Sequence, residues 1–365
     1  MRDIGTKNMS ARAKPVVVIT GGSSGIGLAT AKLFAARGYA VGLIARGEPA
    51  LQSARAQIIA AGGLAATAVA DVADNDAVEA AADSLEKLLG PPNIWINAAA
   101  IDFFGAFAEV SPDEFRRVMD VTFLGVVNGT RAALRRMHRR KRGSIVTVGG
   151  LAAFRGMPTE APYSAAKFAV RGFVEALRAE LSHSRIHLGL VHPPAVNTPF
   201  YSHAGNRMAG EPRPVGKVYQ PEIVAEAIFL CATERRREIR AVGAPGFLGR
   251  FAPALAERIA AWTGHAGHRT SEADIKRRRD PAFAGPGGAL SVEHGPFAME
   301  TFHAGFPLWT HRNQWMVGAG VLLLAALMLP RRARATPAKI AARPPTRIVK
   351  RFSVPRQFLA ARTGR

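Results

Sequence analysis

The run V-V-V-I-T-G-G-S-S-G-I-G, Val16 to Gly27, passes from four β-branched residues straight into a glycine-rich turn. Such a branched run suits a strand buried on both faces of a parallel sheet. Leu28 to Arg37 then takes up helical periodicity. Strand, glycine turn and helix in that order form an entry for a mononucleotide: the glycines let the backbone approach a pyrophosphate, and the helix N-terminus supplies amides and partial positive charge. Thr20, Gly21, Ser23, Ser24, Gly25, Ile26 and Gly27 are thus candidate phosphate-binding residues. A tight turn that only needs glycine is the plainer alternative, but the flanking strand and helix are the context the nucleotide motif requires.

Further along, apolar strands alternate with periodic helices as far as Gly243. That alternation predicts an α/β fold, a doubly wound parallel sheet with helices on both faces. Tyr163 and Lys167, in Y-S-A-A-K, are four apart and share one face of a predicted helix. A phenol titrates near 10, and a neighbouring cation favours the phenolate. The pair is therefore a candidate for moving a proton on or off an alcohol oxygen.

Glycine loop and Y-x-x-x-K together resemble the classical short-chain dehydrogenases/reductases, whose T-G-x-x-x-G-x-G is matched in full. Asp71-Val72 stands where that family places an aspartate near the adenine ring. I-N-A-A-A, Ile96 to Ala100, keeps Asn97 of the family's N-N-A-G and loses the second asparagine. His192 to Thr198, H-P-P-A-V-N-T, resembles P-G-x-V-x-T with Pro194 replacing the glycine, and Thr198 is then expected near the nicotinamide carboxamide. The resemblance covers Val16 to Gly243 and implies a Rossmann-like fold. It also implies hydride transfer between NADP(H) and a hydroxyl or carbonyl carbon of a small-molecule substrate. Tyr163 would be the acid–base group, and Lys167 would lower its pKa and hold the nicotinamide ribose. A homo-oligomer is usual in such families. Arg46 follows the second predicted strand, Ala40 to Ala45, where an NAD site usually carries an acid; an arginine accommodates the extra phosphate of NADP.

Two members of the family's catalytic set are missing. Its serine lies thirteen residues before the tyrosine, which is Gly150 here, and its asparagine aligns with Thr122. Losing one hydroxyl donor of this kind commonly costs about a hundred- to a thousand-fold in turnover. Thr147 is predicted on the opposite strand face from Gly150, and Ser144 lies further from the ligand-binding end, so neither is a substitute. The alternative reading is a catalytically impaired nucleotide-binding sensor or scaffold.

The chain has 365 residues, one cysteine and a formal charge of +22. Cys231 has no intrachain partner and reads as a small buried hydrophobe. His183 and His187 have a helical interval but no third ligand, so no metal is expected. The block R-R-M-H-R-R-K-R, Arg135 to Arg142, reads mainly as a solvated helix C-terminus favoured by the dipole. Arg331 to Arg365 holds eleven Lys or Arg and no acid, half the net charge. Neither block interleaves aromatics, which argues against nucleic acid as a partner.

The expected organisation is a flexible lead over 1–14, the NADP-binding catalytic domain over 15–244, and an amphipathic helix with an extended arm over 245–305. An apolar membrane-type segment over 306–330 and a basic disordered tail over 331–365 follow. Trp315 to Pro330 is apolar throughout and would span roughly 24 Å as a helix, short of a roughly 30 Å hydrocarbon core. Tryptophans on one side and Arg331-Arg332 on the other suit a membrane anchor, and the tail suits anionic headgroups. With no N-terminal signal peptide visible, the expected location is the cytoplasm, at a membrane surface through the C-terminus; a helix packed on the core is the soluble alternative.

Overall fold

The V-V-V-I run forms an interior strand of a seven-stranded parallel sheet. The computed structural model describes residues 14–208, 210–214, 216–240 and 291–297, with the backbone of Thr301–Phe302. The strands are β1 (Val16–Thr20), β2 (Ala40–Ala45), β3 (Leu64–Val69), β4 (Ile94–Asn97), β5 (Phe103–Phe104), β6 (Gly143–Val148), β7 (Ile186–His192), β8 (Ala195–Val196), β9 (Gly205–Asn206), β10 (Val218–Tyr219), β11 (Glu238–Arg240) and β12 (Thr301–Phe302). The main sheet has the order β11-β7-β6-β4-β1-β2-β3. Thr20 at the end of β1 pairs with Asn97 at the end of β4, and Asn97 with Thr147 of β6.

The helices are α1 (Gly25–Ala36), α2 (Glu48–Ala60), α3 (Asn75–Leu89), α4 (Pro112–Met119), α5 (Gly125–Arg140), α6 (Ala161–Glu180), α7 (Phe200–His203) and α8 (Pro221–Thr233). Successive strand residues point to opposite faces, so β1 feeds two cores. Val16 and Val18 join Trp95, Ile145 and side chains of α3, α5 and α6. Val17 and Ile19 join Ile96, Val146 and side chains of α1, α2 and α8. Strand order reverses between β1 and β4, which opens a crevice at their carboxyl ends, where such sheets take ligands.

Local signals fix the helix ends. Asp74 caps α3 by accepting from the amides of Asp76 and Ala77 at 2.9 and 3.0 Å. Ser111 and Glu114 form a reciprocal capping box on α4. Between α4 and α5 the chain widens to a π-helical turn, Asp120–Leu124, which carries Thr122.

The basic block at the end of α5 is not simply a solvated cap. Arg136 is only 4 % exposed and is ion-paired to Glu79, Asp83 and Glu86 of α3. The reason is the packing of α5 against α3, which no local pattern in the block reveals. Among the described residues no helix is long and apolar enough to cross a membrane. Trp315 to Pro330, the amphipathic stretch Pro245 to Trp262, the N-terminal lead before Lys14 and the basic tail lie outside them. Of the expected extended arm, 291–297 is described, and it lies on the core: Ser291 Oγ donates to the Ser23 carbonyl at 2.6 Å.

Candidate active site

The glycine loop leaves β1 and turns sharply into α1. Gly21 has φ of 70°, and a side chain there would meet the Ala99 backbone. At Gly27 an added Cβ would lie 2.1 Å from the Gly21 carbonyl oxygen, so only glycine lets the helix start this close to the turn. Ser24 stands at the N-cap of α1 without a side-chain cap hydrogen bond, and the first turn carries no acid. The Gly25 amide donates to the Val292 carbonyl at 3.0 Å, and the rest of the helix's positive end is left to a ligand.

This loop forms one end of a cavity of about 430 Å³ that runs across the carboxyl ends of the sheet. Gly21, Ser23, Ser24, Gly25, Ile26 and Gly27 line it, as do Arg46, Asp71, Val72, Tyr163, Lys167 and Thr198. Two expected binding residues do not. Thr20 is buried, accepting from the Ala98 amide at 3.3 Å. Asn97 lies in the core, accepting from Trp95 Nε1 at 2.9 Å and donating to Thr130 at 3.0 Å and Thr147 at 3.3 Å. Both brace the crevice from behind, because alternation at a strand end turns them inward.

At the far side of the glycine loop, Arg46 and Asp71 face each other across the end of the cavity. Burial alone would raise the Asp71 carboxyl; the Ala73 amide, Arg117 and Arg46 outweigh it and hold it below the usual carboxylate range. Arg117 reaches Asp71 at 2.5 Å. Thr198 lies against the glycine loop: a Cβ on Gly25 would come 3.1 Å from Thr198 Cβ.

Tyr163 and Lys167 emerge from the first turns of α6 beside the end of β6. The Lys167 ammonium is buried, donates to the Val148 carbonyl at 2.9 Å and lies 5.2 Å from the centre of the Tyr163 ring. Burial lowers it to about 8, with Asp102 acting in the opposite direction. The tyrosine differs from the sequence expectation. Burial first, then the charges of Asp102, Glu160 and Tyr201, push its phenol well above the usual value. Lys167 is committed to Val148, and the acids face the phenol instead.

Gly150 sits where the resemblance places a serine. A Cβ built on it would point at Tyr163 Oη, 3.7 Å away, with only Ala152 N, at 3.9 Å, also near. Thr122 is not free to bind water in the asparagine's place: its hydroxyl donates to the Ile101 carbonyl at 2.9 Å and accepts from the Ile101 amide at 3.0 Å. Thr147 and Ser144 are buried in β6, as their strand positions predicted.

Sequence reasoning missed two acids. Asp102, 1 % exposed, lines the cavity beside Tyr163, and Glu160, at the N-cap of α6, is hydrogen-bonded to it. A charged residue flanked by Ile101 and Phe103-Phe104 was the available signal for Asp102. Glu160 left no such mark.

A cradle for a pyrophosphate at one end and a half-buried tyrosine beside a buried lysine at the other define a dinucleotide-dependent oxidoreductase site. The chain belongs to the short-chain dehydrogenase family, whose model matches residues 15–208. It is similar to an oxidoreductase of Bacillus subtilis named YxnA, 35 % identical over 251 residues that cover 67 % of this chain and 70 % of the relative. It is also similar to the 3-dehydrosphinganine reductase of Danio rerio, 34 % identical over 226 residues, 60 % of this chain and 68 % of the relative. Among solved structures, a variant of the actinorhodin polyketide ketoreductase with NADPH superposes at a TM-score of 0.57 with 27 % identity, covering 64 % of this chain and 98 % of that one. The cofactor is accordingly a nicotinamide dinucleotide, and the residues of the glycine loop fit it.

Proposed function

We propose that the protein transfers hydride between NADP(H) and a hydroxyl or carbonyl carbon of a lipophilic small molecule, with Tyr163 as its acid–base group. The observation that carries this reading is the shared cavity: Tyr163 and Lys167 line the same space as the glycine loop. The nicotinamide supplies or accepts the hydride. The Ser23 to Gly27 backbone and the α1 N-terminus would hold the pyrophosphate, and Tyr163 would give its proton to the substrate oxygen in reduction and take it back in oxidation. Arg46 at the end of β2, with no acid beside it on the strand, favours the 2′-phosphate of NADP. The named ketoreductase neighbour was solved with NADPH, which agrees. Phe200, Tyr201, Pro193 and Pro194 give the substrate end an apolar wall.

The test is nucleotide binding followed by turnover. NADPH is expected to raise the melting temperature more than NADH does. A panel of ketones and alcohols should show turnover that falls at least about a hundred-fold in Tyr163→Phe. No response to either nucleotide would overturn the reading. Nucleotide binding with equal background in wild type and variant would favour the sensor or scaffold, a reading supported by the absent side chain at Gly150.

Composition further supports a cytoplasm-facing enzyme held at a membrane by Trp315 to Pro330, with the acid-free tail adding roughly 1 kcal/mol for each cation that reaches an anionic surface. Truncation after Gly305 should release the protein to the soluble fraction with NADP(H) binding intact. Full-length protein already soluble in low salt without detergent would refute the anchor.

A further inference from the structure

Asp102 and Glu160 are distant in sequence, one just past β4 and the other at the start of α6, yet their carboxyls hydrogen-bond each other out of contact with water. The Phe103 amide donates to Asp102 Oδ1 at 2.6 Å. Among the described residues no amide or hydroxyl reaches Oδ2. Two buried carboxyls in contact cannot both ionise, and a hydrogen bond between them needs a proton on one. The titratable groups facing the pair are Tyr163 and Lys167 of α6 and Tyr201 of α7.

The two positions where the resemblance places a serine and an asparagine beside Tyr163 leave no free hydroxyl for the substrate. Gly150 offers only space in front of Tyr163 Oη, and Thr122 is engaged by Ile101. A carboxylic acid kept neutral by its surroundings can serve as such a donor. We propose, building on the oxidoreductase reading above, that protonated Asp102 holds the substrate oxygen beside Tyr163 in place of the side chain absent at Gly150, with Glu160 as the positioning residue that orients its carboxyl.

In reduction the carbonyl oxygen accepts one hydrogen bond from Tyr163 and one from Asp102. The phenol proton passes to that oxygen as its carbon receives the hydride, Asp102 keeps its proton, and the phenolate is reprotonated from water. Burial brings Asp102 to about 7, while the Phe103 amide, the Glu160 bond and Lys167 hold it from rising further. Glu160 is raised well above the usual range by burial and then by Asp102. The donor is therefore present below about pH 7 and lost above it. The kcat/KM for reduction should fall about tenfold per pH unit past that point.

Infrared spectroscopy of the nucleotide-free protein reads the proton directly. A protonated-carboxyl C=O band should disappear as pH rises through about 7, should be missing in Asp102→Asn, and should titrate at higher pH in Glu160→Met, which lacks the hydrogen bond that favours the ionised form. Asp102→Asn, isosteric and still a donor, should bind NADPH with wild-type affinity and lose the limb in its pH profile. Asp102→Leu should lose about a hundred-fold in kcat/KM, and adding Gly150→Ser to it should restore at least about tenfold, more than the same change gives in the wild type. Nucleotide binding with no titrating band, or an equal gain from Gly150→Ser in both backgrounds, would overturn the donor role alone. A titrating band with no nucleotide binding in the wild type would overturn the oxidoreductase reading and the donor role together.

Discussion

Gly27 lines the cavity and Gly150 adjoins Tyr163, and methyl groups added to them would meet opposite fates. At Gly27 the new Cβ would press on the Gly21 carbonyl at 2.1 Å, backbone against backbone, so the loop must deform. Gly27→Ala should weaken NADPH binding at least about tenfold, some 1.4 kcal/mol, in a fluorescence titration; unchanged affinity would mean that the loop does not hold the pyrophosphate. Gly150 has an extended backbone, φ 165°, and nothing nearer than 3.7 Å to an added Cβ. Gly150→Ser should melt at the wild-type temperature and raise kcat/KM for carbonyl reduction. A large fall in melting temperature would show that the space is not real. These positions were legible because the glycine motif and the Tyr163–Lys167 spacing are local patterns. Asp102 and Glu160 were not, since each is an ordinary polar residue until the fold joins them. The direction of the Tyr163 shift was misread for that reason: the sequence displayed the lysine and hid the acids.

Segment 291–297 clamps the nucleotide end of the site from outside the family's matched region. Gly25 N donates to the Val292 carbonyl at 3.0 Å, Glu293 pairs with Lys32 of α1 at 2.5 Å, and the Gly295 and Phe297 amides bond Asn197 at 3.2 and 2.9 Å. Ser291→Ala removes the bond to Ser23, at about 1 kcal/mol, and should lower the melting temperature by roughly 2–4 °C. A variant that melts with the wild type would show that the clamp adds nothing. On the opposite side of the sheet, Arg136 holds α5 to α3 through three acids. Arg136→Met leaves those acids clustered around an uncharged side chain, a loss of about 3–5 kcal/mol and roughly 10 °C of thermal stability by calorimetry. By contrast, the exposed Arg116–Asp113 pair should be almost silent when broken. Periodicity predicted the helices in both places. It carried no information on which helices meet, or on an arm folding back over a loop near the start of the chain.

Across the whole molecule, buried titratable groups act on stability with opposite signs in one pH window. His187 and His192 are held near 4, chiefly by burial, so their unfolded forms bind more protons between about 4 and 6.5 and stability rises with pH there. Asp102, brought to about 7, and Glu160, raised well above its usual range, keep protons in the folded state that the unfolded chain has released, so stability falls as pH rises through the same range. The two effects offset each other, and the wild-type profile of melting temperature against pH should be shallow from 4 to 7. In Asp102→Asn combined with Glu160→Gln only the histidine contribution remains, so its melting temperature should climb with pH to about 6.5. Asp71 and Glu238, held low, act alike in both proteins and cancel in the difference. Above about 8, Lys167 adds a second rise in the wild type as its unfolded form, titrating near 10.5, keeps the proton longer. The gap between variant and wild type should widen from pH 4 to 7. A gap independent of pH would mean that the two acids titrate in the folded protein as they do in water, and a buried proton-sharing pair could not exist.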